Sequence, residues 1–149
     1  MRKGPEVIIV DDDCCTLELY KLIVKTVLPD AEIRGFLSAR AALEYLRNKD
    51  ADDAAERDGV SDGASARNGQ SLILCDLHMP IIDGFDFLDE FGLLPLSIRG
   101  RYAVYLLSAD ADAVESARHL KMPNLVGIFI KPLTGKKLVA ILRQAGYAI

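Results

Sequence analysis

Cysteine is scarce in this chain and poorly spaced for chemistry. Cys14 and Cys15 are adjacent and Cys75 stands apart, so no C-x-x-C pair is present to mark a zinc site or a redox motif. All three read as reduced thiols acting as small apolar side chains. No hydrophobic run approaches the roughly 20 residues of a membrane-spanning helix. Met1-Arg2-Lys3-Gly4-Pro5 leads straight into a strand-length run, with no signal-peptide core between. A cytoplasmic location, away from the membrane, is the resulting expectation. Positive charge is also short. The 18 Lys and Arg stand against 22 Asp and Glu, a net charge of −4, which argues against a nucleic-acid partner, since that needs clustered basic residues.

What remains is enough for one globular domain. At 149 residues, half of them hydrophobic, the chain can bury a core without metal or disulfide staples, with that core running from about residue 6 to 146. Its centre is the stretch Leu72-Ile73-Leu74-Cys75-Asp76-Leu77-His78-Met79-Pro80-Ile81-Ile82-Asp83-Gly84. Four apolar residues in a row suit a strand covered on both faces of a parallel sheet. Asp76 then falls at the carboxyl end of that strand, where open α/β sheets carry their chemistry.

The rest of the chain repeats this plan. Val7-Ile8-Ile9-Val10 is a second β-branched run, followed at once by Asp11-Asp12-Asp13. From Thr16 the apolar spacing becomes helical through Leu17, Tyr20, Val24 and Val27, with Asp13 as the cap and Leu28-Pro29 as the stop. Ala31 to Phe36 reads as a more polar strand near an edge. Ser38 caps a helix carrying Ala42, Leu43 and Leu46. Asp50–Gln70 is polar, holds three glycines and one large apolar residue, Val60, and reads as a mobile loop on the amino-terminal rim of the sheet. Phe85, Leu88 and Phe91 mark a helix after Gly84, and Gly92–Arg101 reads as an irregular connector. Tyr102 to Leu107 is a strand ending at Ser108-Ala109-Asp110, followed by a weaker helix over Ala113–Lys121. Val126 to Ile130 is the last strand and stops at Lys131-Pro132. Thr134 opens a final helix striped with Leu138, Ile141, Leu142 and Ala145.

Five strand–helix alternations imply a parallel sheet with helices on both faces and right-handed crossovers. Such a sheet gathers the carboxyl ends of its strands on one rim. Four of the five end in a reactive polar group: Asp11-Asp12, Asp76, Ser108 and Lys131. Two carboxylates about 4 Å apart repel by roughly 4 kcal/mol at an effective dielectric near 20. A bound cation relieves that cost, and an all-oxygen donor set held by one or two carboxylates with water favours Mg2+. With a lysine and a hydroxyl added, the set describes a pocket that accepts a phosphoryl group onto Asp76.

The ordered set of an acidic doublet, D-x-x-M-P-x-x-D-G, L-S-A and K-P resembles that of response regulator receiver domains, from about Val7 to Leu142. The resemblance implies a flavodoxin-like doubly wound (βα)5 sheet of strand order 2-1-3-4-5. It implies that Asp11 and Asp12 are the metal-binding pair, Asp12 the more direct ligand, with the His78 backbone carbonyl as a further ligand. Asp76 becomes the phosphoacceptor, Ser108 the phosphate-sensing hydroxyl and Lys131 the phosphate-binding lysine, with a Lys-Pro bond that is usually cis. His78 and Asp110 take the positions that tune dephosphorylation. The implied protein catalyses only its own phosphorylation and dephosphorylation.

The implied partners are a sensor histidine kinase or a histidine phosphotransfer protein, and a downstream protein target. The helices near Ala113–Lys121 and Thr134–Gly146 are the implied contact face. Only 18 residues follow Lys131, so a single-domain regulator without an effector domain is expected. One departure stands out. Receivers often carry Phe or Tyr three residues before the lysine; here Ile128 stands there, and Phe129 belongs to the opposite face of its strand. A weaker or different aromatic switch is expected. A phosphatase of the aspartate-nucleophile class would need an acid where His78 stands, and a flavin module would need a Ser/Thr/Gly loop where three aspartates stand. The strongest rival is a degenerate receiver that binds proteins without phosphorylation.

Overall fold

The apolar, β-branched runs form strands that share one sheet. β1 (Glu6–Val10), β2 (Glu32–Phe36), β3 (Ser71–Asp76), β4 (Tyr102–Ser108) and β5 (Leu125–Ile130) lie parallel in the order β2-β1-β3-β4-β5. The computed structural model describes residues 4–55 and 70–148. Around the sheet run α1 (Cys14–Val27), α2 (Ala39–Ala55), α3 (Gly84–Phe91), α4 (Leu96–Arg99), α5 (Ala111–Arg118) and α6 (Gly135–Gln144). Among the described residues, no helix is long and apolar enough to cross a membrane.

Burial follows from the period of two along each strand. Ile8, Val10, Ile73, Cys75, Val104, Leu106 and Ile128 face one core, packed with α2, α3 and α5. Val7, Ile9, Leu72, Leu74, Ala103, Tyr105 and Leu107 face the other, packed with α1 and α6. The central strands are therefore apolar on both sides, whereas edge strand β2 is only half-buried.

Several boundaries differ from the sequence reading. α2 continues through Ala55, so the first six residues of the expected Asp50–Gln70 loop are helical. Ala51, Ala54 and Ala55 are strong helix formers, and a helix end needs no apolar stripe to propagate. Residues 56–69 lie outside the described residues, and the chain re-enters β3 on the amino-terminal rim. The expected irregular connector contains α4, one turn begun after Pro95 and anchored by fully buried Ile98. α5 starts two residues earlier than expected, because the Asp110 side chain accepts the Asp112 and Ala113 N–H groups. It also ends earlier, at His119, ahead of Pro123. Cys14 and Cys15 are exposed, so only Cys75 serves as a packed apolar side chain.

One polar cluster on the amino-terminal rim had no sequence signal. The Glu6 carboxylate accepts hydrogen bonds from the hydroxyls of Tyr45 and Tyr102 and from Arg34 Nε at 3.0 Å, with Lys49 Nζ at 3.7 Å. Burial opposes its charge, but these partners prevail and hold the carboxyl below the usual glutamate range.

Candidate functional site

Strand register places the site. Val10 pairs with Cys75, so the next residues, Asp11 and Asp76, leave β1 and β3 side by side. Ser108 pairs with Ile130, which brings Lys131 to the same rim. The Lys131 N–H donates to the Ser108 carbonyl at 2.8 Å, and the Leu77 N–H to the Leu107 carbonyl at 2.8 Å. These bonds extend the sheet one residue past each strand and fix the loops carrying the polar groups. The Lys131–Pro132 peptide is cis.

The carboxylate oxygens of Asp11, Asp12 and Asp76 lie within 4.8 Å of one another. Asp11 and Asp76 are buried and Asp12 is exposed, so the trio opens to solvent on one side. Lys131 Nζ stands 2.7 Å from Asp11 Oδ2 and 3.4 Å from Asp76 Oδ1. Burial pushes the Asp76 carboxyl pKa up, Lys131 pulls it down, and Asp11 adds to the rise. Burial works against the Lys131 charge, but its hydrogen bond to Asp11 and the Asp76 charge prevail and raise its pKa. One ammonium among three carboxylates leaves negative charge in excess. An all-oxygen trio of this spacing fits a hard divalent ion, and Mg2+ is the expected one.

The remaining predicted residues fall around this centre. Ser108 is fully buried and its Oγ accepts the Asp110 N–H at 3.0 Å. The His78 N–H donates to Asp76 Oδ1 at 3.3 Å, while its side chain is exposed. Asp110 is engaged as the α5 cap. Asp13 stands at the N-cap position of α1 but, contrary to expectation, makes no capping bond to a helix N–H. Its Oδ2 accepts the Thr16 hydroxyl at 2.5 Å instead.

The loop after Asp76 is shaped by two residues. At Gly84, a Cβ would come within 2.9 Å of Leu77 Cα and 3.0 Å of the Asp76 carbonyl, so only glycine lets α3 start this close to β3. Asp83 and Asp86 then close a reciprocal capping box. At Ile81, φ is 71°, and the Ile82 N–H donates to the Pro80 carbonyl at 2.8 Å. That is a γ-turn centred on a β-branched residue, a strained choice. Its side chain is 90% exposed. Nothing in the sequence signals this turn, because isoleucine is the wrong residue to announce a positive φ.

No family model matches the chain, and no curated protein does. Solved structures do. A response regulator receiver protein from Dyadobacter fermentans shares 27% identity at a TM-score of 0.72, over 97% of this chain and 100% of its own. A two-component response regulator from Cytophaga hutchinsonii shares 24% at a TM-score of 0.71, over 97% and 98%. A bacteriophytochrome response regulator shares 21% at a TM-score of 0.70, over 97% and 81%. The strand order that the resemblance implied is the one observed.

Proposed function

With the receiver-domain fold of response regulators as premise, we propose that this chain accepts a phosphoryl group from a phosphohistidine onto Asp76 and signals by phosphorylation-dependent protein binding. The N–P bond of the donor breaks as an Asp76 Oδ–P bond forms, and the imidazole leaves. The observation that carries this reading is Lys131 Nζ within reach of both Asp11 and Asp76 beside the three clustered carboxylates. Asp11, Asp12, Asp76 and the His78 carbonyl would hold Mg2+, which when bound offsets the negative charge on the phosphoryl oxygens.

Every other role falls to the chain itself. Lys131 pairs with the phosphoryl oxygens in place of its present carboxylate partner. The Ser108 hydroxyl donates to one of those oxygens, which draws the β4–α5 loop toward the site. His78, exposed beside Asp76, flanks the path of an attacking water and sets the lifetime of the acyl phosphate; Asp110 does so only as far as its capping role allows. The protein turns over no separate substrate. Its phosphodonor is a histidine kinase or a histidine phosphotransfer protein. For the output, α5 and edge strand β5 border a groove of about 580 Å³ lined in part by Arg118, Leu120, Met122, Val126 and Gln144. Leu120 and Val126 are large apolar side chains left exposed there, which supports this face as the one a target protein covers.

Acetyl phosphate with Mg2+, followed by intact mass measurement, tests the proposal. The expected result is one added phosphoryl on the unsubstituted chain and none on Asp76→Asn. Equal mass for both would leave a phosphorylation-independent binding module as the better reading.

A further inference from the structure

Cys14 and Cys15 open α1 on the same rim as the acidic pocket, yet they belong to neither core. Cysteine is among the most buried residue types, so two adjacent exposed thiols are not explained by packing. One Asp13 oxygen and both sulfurs lie within 4.8 Å of one another. The Thr16 hydroxyl holds the Asp13 carboxylate by its Oδ2. Around a tetrahedral zinc with Zn–S near 2.3 Å, ligand atoms sit about 3.8 Å apart. Closing from 4.8 Å to that spacing takes about an ångström, within the rotamer freedom of exposed side chains.

We propose that Asp13, Cys14 and Cys15 form a binding site for a soft divalent cation, zinc the type case, separate from the oxygen-only pocket next to it. Two thiolates and a carboxylate supply three ligands, and water completes the tetrahedron, as in open zinc sites. Binding releases the two thiol protons to solvent, and no oxidant or reductant takes part. The two neighbouring ligand sets differ in hardness. Asp11, Asp12 and Asp76 offer oxygen alone, which suits a hard ion, whereas the neighbouring set adds the Cys14 and Cys15 sulfurs to the Asp13 oxygen, and a hard ion ignores sulfur. The missing C-x-x-C spacing does not forbid the site, because the third ligand is a carboxylate.

Titration of the full reduced chain with cobalt(II), then zinc in competition with a chromophoric chelator, tests this. The expected result is one thiolate-bound ion per chain, marked by a thiolate-to-cobalt charge-transfer band. That band should vanish and zinc affinity should fall at least tenfold in Cys14→Ser/Cys15→Ser. In Asp76→Asn, which alters only the oxygen pocket, both should persist. A double-serine chain that binds zinc within twofold of the unsubstituted one overturns the site. So does loss of the band in Asp76→Asn. An Asp13→Ala chain that binds as tightly as the original removes the carboxylate and overturns the triad. None of these outcomes bears on whether Asp76 is phosphorylated, which the mass measurement decides alone.

Discussion

Lys131 stands nearer to Asp11 than to Asp76, at 2.7 Å against 3.4 Å. The ammonium is thus held as a counter-charge between two acids rather than committed to the proposed phosphoacceptor. Replacing it with an uncharged side chain of similar length, Lys131→Met, leaves both buried carboxylates without that partner. Loss of one fixed charge clamp of this kind costs about a hundredfold in rate. The initial rate of mass gain with acetyl phosphate and Mg2+ should fall by about that factor. A rate within threefold of the unsubstituted chain would remove Lys131 from the proposed mechanism.

Asp76 carries a stability cost that its substitution should reveal. Burial, with Asp11 adding to it, raises its carboxyl pKa in the fold above the ordinary 3.8. The folded state therefore binds its proton more readily than the unfolded state, and stability from this group declines as pH rises through that window. Without divalent ions, Asp76→Asn should melt higher at pH 7, each ~1 kcal/mol of relief appearing as about 2–4 °C in a chain of this size. The difference should shrink toward zero as pH is lowered below the aspartate range. A constant difference at all pH values would show that charge is not its cause.

Ile81 offers a gain from the backbone. A non-glycine residue held at positive φ costs about 1–3 kcal/mol, and this side chain, 90% exposed, returns little of it by packing. Ile81→Gly removes the strain at an entropic cost below about 1 kcal/mol. Chemical denaturation should show a net stabilisation of about 1 kcal/mol with the slope unchanged. A destabilised variant would mean that the isoleucine is held by contacts the turn geometry does not reveal.

How far the residues announced all this depends on the kind of signal each one carries. The central strands are legible because Val7–Val10 and Leu72–Cys75 are unbroken apolar runs, and short runs of that kind between turn signals suit a sheet covered on both sides. The site is legible because its polar groups fall at strand ends, where topology alone makes them converge. Helix boundaries are less so: the sequence offers Asp110 only as a tuning residue, and its capping bonds are what start α5 early. The Ile81 turn and the Glu6 cluster are not legible at all. The first contradicts local propensity. The second joins residues from β1, β2, α2 and β4 that only the finished sheet brings together.

That Glu6 cluster should matter to the whole fold. Its carboxylate is only 11% exposed and serves two tyrosine hydroxyls, an arginine and a lysine. Its removal leaves the Tyr45 and Tyr102 hydroxyls short of an acceptor, at about 2 kcal/mol, while half-exposed Arg34 stays solvated. Glu6→Ala should therefore lower the melting temperature by about 4–8 °C. Because its pKa is held below 4.5, the stabilisation is complete above that value and is lost as pH falls through the lowered one. The gap between variant and original should close in acid. A gap that persists below pH 3 would assign the loss to packing instead.

The departure at Ile128 leads to the last expectation. Ile128 packs with α2, α3 and α5, whereas its neighbour Phe129 lies across the sheet against Tyr105, with ring centroids 6.1 Å apart. Tyr105 is fully buried, and its hydroxyl donates to the Ile141 carbonyl at 3.4 Å. Swinging the Tyr105 ring out would vacate core volume at a cost of about 3–5 kcal/mol, the usual toll for emptying an aromatic site, and Phe129, only partly buried, packs on that same side of the sheet. Neither can replace a switch on the α5 face. With fluorotyrosine and fluorophenylalanine incorporated, addition of beryllofluoride and Mg2+ should leave the Tyr105 and Phe129 fluorine resonances in place while amide signals around Ser108 and α5 shift. A new ring environment for Tyr105 would show that the core does rearrange, and that the signal crosses the sheet instead of following β4 into α5.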